Sequence, residues 1–83
     1  MEALNPDDQK HIYFAKVSYA DSPYLDAVEI QGCGSGVLLI RYFAYESGSI
    51  EGDHWYENAA VARREAESEF GIRPESWAVR EVP

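Results

Sequence analysis

The sequence predicts an α+β fold, in which a small antiparallel sheet of three or four strands carries one helix across it and a final short strand follows the helix. Two observations predict this class. Segments with an apolar period of two occupy much of the first two thirds of the chain, and the period becomes that of a helical face from Ala59 onward. The length of 83 residues favours one domain, because a second core would bury too little apolar surface.

The chain begins with a segment that has no apolar periodicity. Residues 1–10 include Pro6 and several acidic side chains, so we expect a mobile lead-in followed by a single domain at 11–83. The segment HIYFAKVSYA, residues 11–20, is rich in aromatic and β-branched residues, which favour strands. It predicts the first strand of the sheet.

Two further strands are predicted on either side of a glycine-rich turn. Turn-forming residues at 21–26 end the first strand, and residues 27–31 alternate apolar and polar side chains as a half-exposed strand does. After GCGSG, residues 37–45 carry apolar side chains on both faces. One helix covers one face of a small sheet, so the second face must meet other chain segments or another copy of the protein. This pattern predicts a homodimer.

A single helix is predicted over 59–70. Asn58 precedes it as an N-cap, Gly71 supplies a left-handed stop, and Pro74 blocks a restart. The apolar positions have the spacing of one helical face, and they are mostly alanine, which lets the helix approach the sheet closely: Ala59, Ala62, Ala66 and Phe70. The segment PESWAVREV then predicts a turn and a last strand.

The composition is strongly acidic. Fifteen Asp and Glu side chains stand against seven Lys and Arg, which gives a formal net charge of −8 at pH 7. Neutralisation of phosphates needs clustered cations, so the charge argues against nucleic acid and anionic membranes as partners. Two interpretations remain open: the charge keeps a small protein soluble, or it forms a surface that binds a basic protein.

The sequence also bears on location and cofactors. Cys33 is the single cysteine, which excludes an internal disulfide, and the N-terminus lacks the apolar segment of a signal peptide. The longest apolar run, VLLI, is too short to span a bilayer. We therefore expect a cytoplasmic protein. One cysteine and two separated histidines do not have the spacing of a zinc site, so no metal or other cofactor is predicted.

The stretch GDHWYEN, residues 52–58, combines the residue types of an acid–base site. Its aromatic residues favour an extended chain, preceded by a turn or by the start of a fourth strand. In an extended chain Asp53 and Glu57 share one face and His54 lies on the other, so Asp53 does not readily orient its neighbour. An enzyme that uses Asp53, His54 and Glu57 is therefore the weakest of three hypotheses, and Trp55 is expected to anchor the junction with the helix.

A second hypothesis is a small-ligand site. Trp55 and Trp77, together with tyrosines of the first and third strands, are candidates to line an aromatic pocket. The residues that we single out as ligand or interface candidates are Trp55, Trp77, His54, Tyr42 and Tyr45.

The C-terminal part of the chain carries the pattern D-x-W, then A-x-x-x-A-x-x-E-F-G-I, then W. The positions are Asp53, Trp55, Ala62, Ala66, Glu69, Phe70, Gly71, Ile72 and Trp77. This pattern resembles that of a group of small bacterial proteins of uncharacterised function. The resemblance implies a compact α+β unit, and it brings no activity and no catalytic residue.

The first hypothesis, which the charge and the lack of a catalytic set favour, is a non-enzymatic protein-binding module. Such a module would act as a regulator or as an inhibitor-like or immunity-like protein. We expect it to be a homodimer, and a basic protein is the partner that its net charge favours.

Overall fold

In the computed structural model, which describes residues 11–18 and 22–81, four strands precede a helix and one strand follows it. The strands are β1 (His11–Lys16), β2 (Ala27–Cys33), β3 (Gly36–Ala44), β4 (Ser49–Tyr56) and β5 (Ala78–Glu81). The helix α1 covers Ala59–Phe70, and a 3-10 turn at Pro74–Ser76 leads into β5. The predicted lead-in at 1–10 lies outside the described residues.

The five strands form one antiparallel sheet in the order β4-β3-β2-β1-β5. The first four strands are neighbours in sequence and in space, whereas β5 lies beside β1. The helix therefore carries the chain across the sheet from one edge to the other. The α+β class with an antiparallel sheet and one helix is confirmed. The prediction of three or four strands before the helix and a final short strand after it roughly fits, because residues 49–56 form the fourth strand and the final strand joins the same sheet.

Tight turns connect β2 to β3 and β3 to β4. Gly34 has a φ of 62° in the two-residue turn between β2 and β3, and Gly48 has a φ of 73° in the turn between β3 and β4. These left-handed conformations suit glycine, which has no Cβ to clash with the backbone. The glycine-rich stretch is a hairpin connection, as its position before a strand predicts.

The helix begins and ends at the predicted residues. The Asn58 side chain accepts a hydrogen bond from the Val61 N–H at 2.9 Å, which satisfies one of the first-turn donors. Gly71, with a φ of 71°, donates its N–H to the Glu67 carbonyl at 3.0 Å. Ile72 then folds back into the core cluster beside Phe70. These caps limit the helix to twelve residues.

The hydrophobic core lies between α1 and one face of the sheet. The sheet contributes aliphatic side chains from its two central strands, and the helix contributes alanines that are almost fully buried. Alanine projects no atom beyond Cβ, so the helix backbone lies close to the strands. The central members of this core are Val28, Ile30, Val37, Leu39, Ala59, Ala62 and Ala66.

Tyr56, and not Trp55, anchors the junction between β4 and α1. Tyr56 is paired with Val37, which faces the core, and its ring packs against the core cluster. Trp55 is paired with Leu38 and lies on the opposite face of the sheet. The prediction for Trp55 was wrong because two aromatic neighbours in a strand point to opposite faces, and the type of side chain does not show which one is buried.

Candidate interaction surfaces

No other described helix or strand packs on the face of the sheet opposite α1. We call this surface the open face. The strand register aligns its residues in three rows that cross the sheet. The first row is Arg80, Ile12, Gln31, Leu38 and Trp55, the second is Ala78, Phe14, Glu29, Ile40 and Asp53, and the third is Lys16, Ala27, Tyr42 and Ile50.

A buried carboxylate lies at the centre of the open face. The Glu29 side chain belongs to a residue that is 5% exposed, although no secondary-structure element covers it. One carboxylate oxygen accepts hydrogen bonds from the Tyr42 hydroxyl at 2.9 Å and from Gln31 Nε2 at 2.8 Å. The other oxygen accepts a hydrogen bond from the Tyr45 hydroxyl. Three donors therefore replace the water that a buried carboxylate loses.

Long side chains from β1, from the edge strand β5 and from the turn after β3 cover Glu29. The Tyr45 ring centre lies 4.6 Å from that of Phe14 and 5.0 Å from that of Tyr42. The Arg80 guanidinium lies 4.2 Å from the centre of the Phe14 ring and donates a 2.7 Å hydrogen bond to the Tyr45 hydroxyl. The contact between a guanidinium and an aromatic ring is attractive in itself. Side chains thus form the cover that a second helix would provide in a larger domain.

The same burial changes the acidity of the two tyrosines. Burial, together with the neighbouring Glu29 carboxylate, raises the pKa of Tyr42 to about 12. The pKa of Tyr45 is also raised, first by burial and then by Glu29. Both hydroxyls therefore remain protonated at neutral pH and act as donors to the carboxylate.

Trp55 forms the exposed end of the first row. A Cβ atom added at Gly36 would lie 2.4 Å from the indole Cζ2 and 2.4 Å from the Tyr56 carbonyl oxygen. Glycine at this position therefore allows the indole to lie against the backbone of β3. The residue is still 48% exposed, and Ile50, at the same edge in the third row, is 53% exposed. The edge of the open face at β4 is therefore its least covered apolar part.

Trp77 and Trp55 lie on different faces of the sheet. The Trp77 ring packs against the core on the helix side, edge-on to Tyr13 with 6.4 Å between ring centres. Its Nε1 is buried and has no hydrogen-bond partner among the described residues. Because Trp55 is on the open face at β4 and Trp77 immediately precedes β5, the structure does not bring the two tryptophans into one pocket.

The acid–base candidates do not converge. Asp53 is paired with Ile40 on the open face, whereas His54 is paired with Leu39 and lies on the helix side, where its ring is 4.6 Å from that of Tyr56. This confirms the alternation expected from the sequence. Glu57 follows in the bend before the helix. Among the described residues, no group of three or more His, Cys, Asp and Glu has an arrangement that could hold a metal ion.

A second exposed apolar region lies at one end of the sheet, next to the C-terminal end of α1. Tyr24 is 79% exposed and Phe43 is 51% exposed. Two adjoining depressions of about 350 and 390 Å³ share Tyr24, Leu25 and Phe43, and the larger one is also bordered by Phe70. We call this region the Tyr24 groove and define it by these four residues.

Three carboxylates and one cation, Arg41, border the Tyr24 groove. Glu51 and Glu69 border the larger depression, and Glu65 lies one helical turn before Glu69. Glu51 forms an ion pair with Arg41 at 2.6 Å, whereas Glu65 and Glu69 have no ion pair with any described residue. After burial, these two helical carboxylates are the main reason that the pKa of Tyr56 is raised. Negative charge therefore accumulates between α1 and β4.

The negative charge of Asp26, at the other side of the groove, is compensated by hydrogen-bond donors. It accepts the Tyr45 backbone N–H at 2.9 Å and a 3.0 Å hydrogen bond from Lys16. These two contacts lower the pKa of the Asp26 carboxyl group. The uncompensated charge of the groove therefore lies on its helical side.

The sequence patterns missed the residues that define these surfaces. Glu29 was expected on the exposed side of a half-buried strand, and the side chains around it, Phe14, Tyr45 and Arg80, come from three separate segments. The sequence contains one signal for the open face. Residues 37–45 are apolar on both faces, which indicated that the second face of the sheet meets other chain segments or another copy of the protein. No local pattern indicated that Tyr24 and Phe43 lie together.

No family model, no curated protein and no solved structure matches the chain. In the part of the chain that the structure describes, no helix has both the length and the apolar character needed to cross a bilayer. The open face and the Tyr24 groove are therefore the features from which a function is proposed.

Proposed function

We propose that the chain is a non-enzymatic protein-binding module that works as a homodimer, with the open faces of two copies packed together. The observation that carries the proposal is the first row of the open face. It runs from Arg80 at one edge, through Ile12 and Leu38, to the exposed Trp55 at the other edge. A guanidinium at one end and an indole at the other end are complementary to each other in a second copy.

A twofold axis parallel to the strands makes this complementarity explicit. Such an axis places each row over the same row of the second copy in reverse order, so Arg80 meets Trp55 and Ile12 meets Leu38. Each contact then occurs twice, as in other twofold interfaces. Packed sheets are rotated by about 30° relative to each other, which displaces the row ends by about 5 Å and leaves them within reach of an arginine side chain.

The exposed apolar surface is sufficient for a weak dimer. Burial of the exposed half of an indole contributes about 2 to 3 kcal/mol per copy. Ile12 and Leu38 are partly exposed and add to this. Since association costs at least about 4 kcal/mol in lost freedom of motion, only a few kcal/mol remain, and we expect a dissociation constant of about 0.1 to 1 mM.

The edges of the sheet are less suited to pairing than the open face. β4 carries Glu51 and Asp53, and its pairing with β3 has register shifts near Tyr42. β5 has four residues. Charged, irregular and short edge strands resist pairing with another chain. This supports an interface between faces rather than an extended sheet.

The exposed carboxylates of α1 suit a role as a regulator or inhibitor of a cationic protein. Glu65, Glu67 and Glu69 are exposed on the layer opposite the open face, so a dimer formed through the open face leaves them accessible. They lie in the C-terminal half of the helix, where negative charge opposes the helix dipole by a few tenths of a kcal/mol per charge. A cationic partner would relieve this repulsion.

Sedimentation equilibrium tests the dimer with a matched pair of variants. Trp55→Ser and Tyr24→Ser each remove one exposed aromatic ring, but only Trp55 lies on the open face. We expect wild type and Tyr24→Ser to dimerise at concentrations of about 0.1 to 1 mM, and Trp55→Ser to have a dissociation constant at least about tenfold higher. Thermal melting of all three confirms that they are folded. A monomeric wild type, or equal weakening by both variants, would refute the proposal.

A further inference from the structure

We infer that the Tyr24 groove binds a short basic segment of a partner protein, which inserts an apolar side chain between Tyr24 and Phe43 and places a Lys or Arg beside Glu69. The inference rests on the proposed protein-binding function, but it uses a surface that the dimer leaves free. Three observations carry it: the exposed aromatic rings, the uncompensated charge and the preformed walls.

The exposed rings supply the apolar part of the site. Tyr24 and Phe43 are among the most exposed large apolar residues of the described chain, and both border the same two depressions. Between them the groove reaches Leu25 and Phe70, which pack in or against the hydrophobic core. A volume of about 350 to 390 Å³ for each depression is in the range of sites that take a small ligand or a large side chain. Adjacent exposed apolar side chains of this kind mark interaction sites.

The charge around the groove selects for a cation. Of the carboxylates that border it, Asp26 is paired with Lys16 and Glu51 with Arg41, whereas Glu69 has no ion pair among the described residues. The C-terminal end of α1 lies at the same place, and its last turn contains no basic residue. The unpaired carbonyl groups at a helix C-terminus carry partial negative charge, so they add to the attraction of a Lys or Arg. An acidic segment would be repelled by both.

The walls of the groove are held in place by backbone hydrogen bonds. The turn that carries Tyr24 is closed by Leu25 N–H to the Ser22 carbonyl at 3.3 Å. It is joined to the sheet by Asp26 N–H to the Tyr42 carbonyl at 2.8 Å and by Val17 N–H to the Asp26 carbonyl at 3.0 Å. A site formed before binding avoids part of the entropy cost of ordering its walls.

Selection from a random peptide display library on the immobilised full-length protein tests the inference. We expect the enriched peptides to share a large apolar residue flanked by Lys or Arg. Peptides without basic residues, or no enrichment above an uncoated surface, would overturn it. Since the dimer is measured separately by sedimentation, a failure here with an intact dimer refutes the groove alone, and a monomeric protein that still selects basic peptides refutes the dimer alone.

Fluorescence anisotropy with the most enriched peptide then locates the site. Tyr24→Ser and Glu69→Gln should each weaken binding at least about fivefold, and added salt should weaken it further because the contact is partly ionic. The matched controls are Trp55→Ser and Glu67→Gln, which change an exposed aromatic ring and an exposed carboxylate outside the groove. Binding that is unchanged by the first pair, or weakened equally by both pairs, would contradict the assignment.

Discussion

The two faces of the sheet are covered by different means. On the helix side, alanines of α1 meet aliphatic side chains of β2 and β3, and among the described residues the centre of this contact contains no buried polar side chain. On the open face, a carboxylate accepts three hydrogen bonds, and aromatic rings and a guanidinium lie over it. The first face is held by packing, which depends on volume. The second is held by directional contacts, which depend on the presence of each partner.

This difference shows how a small chain covers both faces of its sheet with one helix. The described residues place no second helix on the open face. Tyr45 and Arg80 instead reach over Glu29 from a turn and from an edge strand. Their side chains shield the centre of the open face but leave its β4 edge exposed, and we place one end of the dimer contact at that edge.

The largest loss of stability is expected from a larger side chain on the helix side of the sheet. Ala62 is fully buried between α1 and the sheet. Ala62→Leu would force the helix away from the strands, so we expect unfolding free energy to fall by about 3 kcal/mol. Urea denaturation followed by circular dichroism measures this. The control is Ala60→Leu on the exposed side of the same helix, which should change stability by less than about 0.5 kcal/mol. Equal effects would show that the alanine stripe does not set the packing distance.

The second effect tests the open face by removing an acceptor. Glu29→Ala would leave the hydroxyls of Tyr42 and Tyr45 without their partner, so we expect a loss of about 2 kcal/mol in the same denaturation experiment. Glu46→Ala, which removes an exposed carboxylate, is the control and should have little effect.

The contribution that the hydrogen bonds to Glu29 make to stability can be separated from that of the apolar side chains around it. The triple variant Glu29→Leu, Tyr42→Phe and Tyr45→Phe removes the acceptor and both hydroxyl donors at once. We expect it to be more stable than Glu29→Ala, because replacing all partners by apolar groups avoids unpaired hydroxyls. A triple variant less stable than Glu29→Ala would mean that the face depends on its shape more than on its hydrogen bonds.

A smaller loss of stability is expected from a substitution beside Trp55, at the β4 edge of the open face. Gly36→Ala would place a Cβ against the Trp55 indole and the Tyr56 carbonyl oxygen, so we expect a loss of about 1 to 2 kcal/mol and a red shift of tryptophan emission as the indole moves into water. Adding Trp55→Ala should restore only part of the stability, because the clash with the backbone oxygen remains. Full restoration would show that the indole alone requires glycine at this position.

The last effect appears only at high pH. The pKa of Tyr42 in the folded protein is raised to about 12 from 10.0, which means that the folded state disfavours the ionised form. This stabilisation is fully present below pH 10 and is lost as pH rises toward 12. Ultraviolet absorbance of tyrosinate, followed with circular dichroism, should show Tyr42 ionising late and together with unfolding. Ionisation of all tyrosines near pH 10 in the folded protein would contradict this.

Much of the fold could be predicted because its signals are local. Asn58 and Gly71 limit the helix through hydrogen bonds to residues within one turn, and the alanine spacing gives its buried side. Gly34 specifies a tight hairpin through its left-handed conformation. The number of strands was less certain, because β4 has charged residues and a glycine that weaken its alternating pattern.

The candidate site could be predicted only in part. Tyr42, Tyr45 and Trp55 were singled out and do lie on the open face, whereas His54 and Trp77 lie on the helix side. The pattern could not separate them, since an aromatic side chain is compatible with a core, a surface or a network. The face on which an aromatic side chain lies depends on which alternate residues of its strand point toward the helix.

By itself, the sequence determined the helix, its two caps, the tight turns and the alternation within each strand, because these depend on backbone geometry over a few residues. Only the tertiary structure decided that β5 joins β1, that Glu29 is buried under Tyr45 and Arg80, and that Tyr24 and Phe43 form one groove. These features join residues that are distant in the chain. Their free energy comes from burial and hydrogen bonding that exist only once the sheet has assembled.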